Sequence, residues 1–132
     1  MHTVATTEEK LNIVYLCLTT GLPYFVSYGF SMDYDSAEYQ KAREALSTGN
    51  LTDTVCSEDV QKQMLRMGYG LRFIDEESLG EESVTLNLSV IESNWDKVRA
   101  KDLAEMGEDG NWDAETADCI MQCLLFGEIV YG

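Results

Sequence analysis

Between Leu11 and Met32 the chain carries no charged side chain. This run constrains the fold more than any other feature, because a long stretch of mostly apolar chain has to be buried somewhere. It is long enough to cross a bilayer, which takes roughly 20 residues. Its interior argues against a span. Asn12, Thr19, Thr20, Ser27 and Ser31 are polar, and Gly21 and Pro23 interrupt the run midway. Asp33 and Asp35 follow it where basic anchors would stand. Two buried core elements are therefore expected, and no membrane contact.

Thr6 and Glu9 have the spacing of a capping box at the start of the first element. Leu11, Val14, Tyr15 and Leu18 then share one helical face, while Ile13, Leu16 and Cys17 fill the others. This reads as a buried helix, with a strand as the alternative, ended by Gly21 and Pro23. In PYFVSYGF, Tyr24, Val26, Tyr28 and Phe30 alternate with Phe25, Ser27 and Gly29, which predicts a strand. Asp35 and Glu38 predict the start of a helix that Gly49 and Asn50 stop. Ser57 is expected to cap a short helix closed by Gly68.

A strand is expected from Gly70 to Asp75. Val84, Leu86, Leu88 and Val90 alternate with Thr85, Asn87 and Ser89, so a second strand is expected across SVTLNLSVIE, forming a hairpin with the first. One helix around Trp95 to Met106 and another from about Asp113 to Phe126 complete the pattern. The helices are interspersed with strands without regular β-α-β alternation. The expected class is α+β, with a small antiparallel sheet of about three strands packed with four to five helices. A length of 132 residues without repeats or long linkers suggests a single domain over 1–132.

The charge is one-sided, with 24 Asp plus Glu against 9 Lys plus Arg and a net charge of −15. That balance disfavours direct contact with nucleic acid, whose phosphates attract Lys and Arg, and it disfavours anionic membranes. A protein with a basic surface is the natural partner. Solubility alone is the plainer account. Cys17, Cys56, Cys119 and Cys123 include no Cys-x-x-Cys pair, and the single histidine is His2. No zinc site is expected. Buried free thiols are expected instead, which points to a reducing cytoplasm. The N-terminal MHTVATTEEK is acidic where a secretion signal would be basic.

Asp109, Asn111 and Asp113 stand two apart, like the first ligands of a calcium loop. The loop would need glycine at its sixth position and a bidentate glutamate at its twelfth. The chain has Ala114 and Ile120 there, so no metal is expected. Asp113 serves better as a helix N-cap, with Glu115 in the first turn and Trp112 placed to staple onto Ala117.

The absence of positive charge around that helix start is the larger observation. After Lys101 there is no Lys or Arg, while Asp102, Glu105, Glu108, Asp109, Asp113, Glu115, Asp118 and Glu128 follow. Glu76, Glu77, Glu81 and Glu82 form a second acidic group beside Asp75. Carboxylates three or four apart on a helix lie about 5–6 Å apart, on the scale of neighbouring phosphates. An ordinary solvated face and an imitation of nucleic acid both fit this pattern. Glu105, Glu108, Asp109, Asp113, Glu115 and Asp118 are the expected partner contacts, with Glu76, Glu77, Glu81 and Glu82 behind them.

Residues 24–39 hold a second candidate surface, rich in tyrosine, on which Tyr28 and Tyr34 would serve a ligand-binding or homodimer contact. No motif assigns a cofactor or a catalytic residue, since there is no histidine base, phosphate loop or Cys–His pair. Paired carboxylates in an acidic pocket leave a small enzyme as a further alternative. In size and charge the chain resembles the small acidic inhibitors that phages and mobile elements make against host defence enzymes. That resemblance implies a non-enzymatic cytoplasmic protein that blocks a basic, nucleic-acid-binding surface of a protein partner.

Overall fold

The computed structural model describes residues 5–20, 22–46, 56–78, 82–106 and 113–131. The first helix, α1, spans Thr7–Thr20. Its start is the expected reciprocal box: the Glu9 amide donates to Thr6 Oγ1 at 3.2 Å and the Thr6 amide donates to Glu9 Oε1 at 3.1 Å. Leu11, Val14, Cys17 and Leu18 form its buried face. Among the described residues no helix is long and apolar enough to cross a membrane.

PYFVSYGF is not one strand. Leu22–Ser27 forms a short helix, α2, and only Phe30–Asp33 is extended, as β1. The Tyr28 amide bonds back to the Tyr24 carbonyl at 3.0 Å, and Gly29 takes φ +94°, which releases the chain into the strand. Packing decides the matter. Phe25, out of phase with the expected strand face, is 1% exposed and its ring centroid lies 5.5 Å from that of Phe73. Val26, which the alternation would have placed beside Tyr24 and Tyr28, is 68% exposed.

The α3 helix, Ser36–Leu46, starts where expected, because Asp35 Oδ1 accepts the Ala37 and Glu38 amides. Its expected stop at Gly49 and Asn50 lies outside the described residues. The α4 helix spans Ser57–Arg66. Cys56, not Ser57, occupies its N-cap, and its thiol donates to Asp59 Oδ2 at 2.7 Å. All four cysteines are free thiols, but Cys56 is exposed and Cys119 half-buried, so burial holds only for Cys17 and Cys123. Gly68, with φ +88°, closes α4 in a Schellman turn, its amide bonding to Leu65 and that of Tyr69 to Met64.

Next come β2, Leu71–Asp75, and β3, Glu82–Leu86. The sheet order is β1-β2-β3 and both pairings are antiparallel. The expected long strand through residue 92 stops at Leu86. Asn87 turns the chain, its side chain accepting the Val90 amide at 2.9 Å, and α5 follows over Leu88–Asn94. The alternation ends because Ile91, out of phase with it, is the next fully buried residue. The expected single helix from Trp95 to Met106 is likewise two pieces. A 3₁₀ turn covers Trp95–Lys97, Val98 is extended and buried, and α6 covers Ala100–Met106.

The last helix, α7, is Ala114–Phe126 with Asp113 as its N-cap, as expected. It packs against α1, α5, α6 and β3. Ala117, Ile120, Met121, Leu124 and Leu125 are buried along it. The α+β class holds, with seven α-helices and a three-stranded antiparallel sheet among the described residues. The helices outnumber the expected four to five because α2 and α5 are short elements, each lying where the alternation predicted a strand. One apolar cluster draws residues from all of the elements, from Leu11 and Phe25 to Leu86 and Leu125.

Candidate functional site

The start of α7 and the end of α6 bring three of the expected carboxylates together. Asp113 Oδ1 accepts the Thr116 amide at 3.0 Å. The Thr116 hydroxyl lies 2.9 Å from Glu105 Oε2 and 3.2 Å from Asp113 Oδ1, so one hydroxyl proton sits between two carboxylates. The Thr116 amide is the main cause that holds the Asp113 carboxyl below its ordinary value. Glu115 is exposed in the first turn beside them. Arg99 and Lys101 share the groove that these residues line. The corner is therefore less purely negative than the sequence after Lys101 suggests, because folding returns two earlier cations to it. Arg99 Nε pairs with the buried Asp102 at 2.7 Å.

Asp118 does not join this surface. It is 4% exposed, on the inner side of α7. Its Oδ2 accepts the Tyr28 hydroxyl at 2.7 Å and the Gln122 amide at 2.9 Å. A carboxylate so placed organises the interior and cannot meet a partner. Glu108 and Asp109 lie outside the described residues, as do Asn111 and Trp112 of the calcium-like spacing and the staple.

The second acidic group gathers on the β2–β3 hairpin. Glu76 and Glu77 are exposed in a 3₁₀ turn, and Glu76 accepts the Ser31 hydroxyl. The Glu77 amide donates to Asp75 Oδ1 at 3.0 Å. Asp75 stands directly opposite Glu82 in the sheet. Glu81 lies outside the described residues. The two groups do not merge. Thr116 belongs to the first and Phe126 lines a groove at the second, and these two residues stand about 15 Å apart along the α7 axis.

The tyrosine candidates turn mostly inward. Tyr28 stacks on Tyr131 with ring centroids 4.4 Å apart, and burial, reinforced by the bond to Asp118, pushes its phenol well above the usual range. Tyr34 is half-buried and stacks on Tyr39 at 4.8 Å. Of the remaining aromatic stretch, Tyr24 at 37% exposure and Val26 reach the surface.

The groove at the hairpin is lined by Phe30, Asp75, Glu82, Val84, Phe126 and Tyr131 and encloses about 500 Å³. Sequence reasoning missed it. One signal was legible: Asp75 is in phase with Leu71 and Phe73, so an acid occupies a core-facing position of β2. The approach of Phe126 and Tyr131 had no local signal. No family model, no curated protein and no solved structure matches the chain.

Proposed function

We propose that the chain is a small non-enzymatic binding protein that blocks a basic, nucleic-acid-binding surface of a protein partner. It would act in the cytoplasm, as an inhibitor of the anti-defence type that phages and mobile elements make. One observation carries this reading. The four ion pairs among the described residues use Glu8, Asp33, Glu92 and Asp102, and Glu76 with Glu77 and Asp113 with Glu115 are, among the exposed carboxylates outside those pairs, two sets that lie next to or near one another in the chain. Two separate clusters on a chain of charge −15 offer a partner two points of electrostatic contact.

The residues for the contact are Glu105, Asp113, Glu115, Glu76, Glu77 and Glu82, with Asp118 withdrawn to the interior role described above. The test is affinity capture of the partner, followed by its dissociation constant at two salt concentrations and by competition with a nucleic-acid duplex. Binding should weaken about tenfold with rising salt and exclude the duplex. Glu76→Lys, Glu77→Lys and Glu115→Lys together should slow association while the fold persists. Binding that ignores both salt and these reversals refutes the reading.

A homodimer through residues 24–39 is the second reading, favoured by the exposure of Tyr24 and Val26. It requires a self-association that is insensitive to salt, and sedimentation measures that directly.

A further inference from the structure

We propose that the groove across the end of the sheet is the pocket for one arginine side chain of the basic partner. This inference rests on the partner-binding reading above. The sheet register places Phe30, Asp75 and Glu82 in one row across β1, β2 and β3. The same register and the two-residue alternation of a strand put Asp75 and Glu82 on the face that carries Leu71, Phe73, Val84 and Leu86. Two carboxylates thus leave adjacent strands at the rim of the apolar core, directly opposite one another. Two acids side by side at this rim attract a cation that approaches along the groove. Asp75 already accepts the Glu77 amide through Oδ1, and a carboxylate has acceptor sites for several donors.

The other wall is aromatic. The ring centroids of Phe30, Phe126 and Tyr131 lie 5.9, 6.0 and 6.2 Å apart pairwise. This wall is held in place. Tyr131 is stacked on Tyr28, and its backbone bonds to the buried Gln122 through both its amide and its carbonyl. Acid pair and ring wall together select a planar cation. A guanidinium stacks on ring faces and offers a fork of N–H donors to carboxylates, whereas an ammonium is a compact, strongly hydrated point charge. Arginine is therefore favoured over lysine, and a protein partner over a free anion or an apolar ligand.

The test is an amide-resolved NMR titration of the full chain with a capped Gly-Arg-Gly peptide, its Gly-Lys-Gly counterpart and the free amine agmatine. The arginine peptide should give saturable shifts centred on Phe30, Asp75, Glu82 and Tyr131 at millimolar concentration, severalfold tighter than the lysine peptide. Asp75→Asn with Glu82→Gln should abolish them. The isosteric changes keep the shape of the row, and the same spectra report whether the fold is kept. Tyr131→Leu, which leaves both carboxylates in place, should weaken the arginine peptide more than the lysine one.

Shifts spread evenly over the acidic surface, equal affinity for the two peptides, or indifference to the paired substitution overturns the proposal. Tighter binding of agmatine than of the peptide overturns the assignment to a protein partner. If the captured partner binds the Asp75→Asn/Glu82→Gln variant as it binds the unaltered chain, yet loses affinity with Glu115→Lys, the groove is wrong and the broader reading stands. If neither change matters, both fall.

Discussion

Replacing Gln122 by methionine removes one side-chain amide from the interior and nearly nothing else, since the two side chains are similar in length and volume. Gln122 is fully buried and makes four hydrogen bonds. Its Nε2 donates to Asp118 Oδ2 at 2.9 Å and to the Tyr131 carbonyl at 3.0 Å, and its Oε1 accepts the Val130 and Tyr131 amides at 2.8 Å each. The bonds to residues 130 and 131 are lost to water if the segment detaches, so their loss is offset by regained chain entropy and leaves about 1 kcal/mol. The bond to Asp118 has no such escape. That carboxylate stays buried, its Oδ1 has no hydrogen-bond partner among the described residues, and it keeps only the Tyr28 hydroxyl.

Losing a hydrogen bond to a buried charged group costs about 2 kcal/mol. The sum of about 3 kcal/mol corresponds to a Tm lower by roughly 10 °C for a chain of this size. Calorimetry reads the Tm, and amide exchange at Val130 and Tyr131 reads the detachment. A Tm within about 2 °C of the unaltered chain, well under the shift expected from the size scaling, with protection at both amides intact, refutes the claim that Gln122 holds this segment to the core.

Asn87→Ala removes the side-chain acceptor that turns the chain from β3 into α5. It should destabilise by about 1 kcal/mol in denaturant unfolding, whereas Asn87→Asp should be nearly neutral. The Asp113 carboxyl titrates below its ordinary 3.8, so the stability it contributes is complete above that pH and is lost as pH falls through the lower folded value. The Tm advantage of the unaltered chain over Asp113→Asn should shrink below pH 3.8, and a constant difference refutes the link. The hydrogen bond to Asp59 raises the pKa of the exposed Cys56 thiol, so less of it is thiolate at neutral pH. Alkylation of Cys56 should be slower than that of an unperturbed exposed thiol and should accelerate in Asp59→Asn, while Cys17 and Cys123 stay protected until unfolding.

Where the deciding contact is local, the sequence was readable. Thr6 with Glu9, Asp35, and Asp113 each satisfy helix amides within four residues, and each marks a helix start in the structure. Gly68 marks a helix end for the same reason, since a left-handed residue is needed there. The errors share a cause as well. In PYFVSYGF and in SVTLNLSVIE the apolar residues alternate, and alternation over so few residues does not distinguish a strand from a helix with one buried face. The buried Phe25 ring decided the first, and Asn87 capping with Ile91 burial decided the second.

The candidate surface divides along the same line. Composition and order alone determine that the chain is strongly acidic, that Lys and Arg end at Lys101, and that Asp113 starts a helix. Only the tertiary structure decides which carboxylates face outward. It turns Asp118 inward to Tyr28 and Gln122, returns Arg99 to the acidic corner, and sets Asp75 and Glu82 against Phe126 and Tyr131. Charge is a property of the residue and is fixed with the sequence. The direction in which a charge points depends on contacts between residues far apart in the chain, and those exist only once the core has packed.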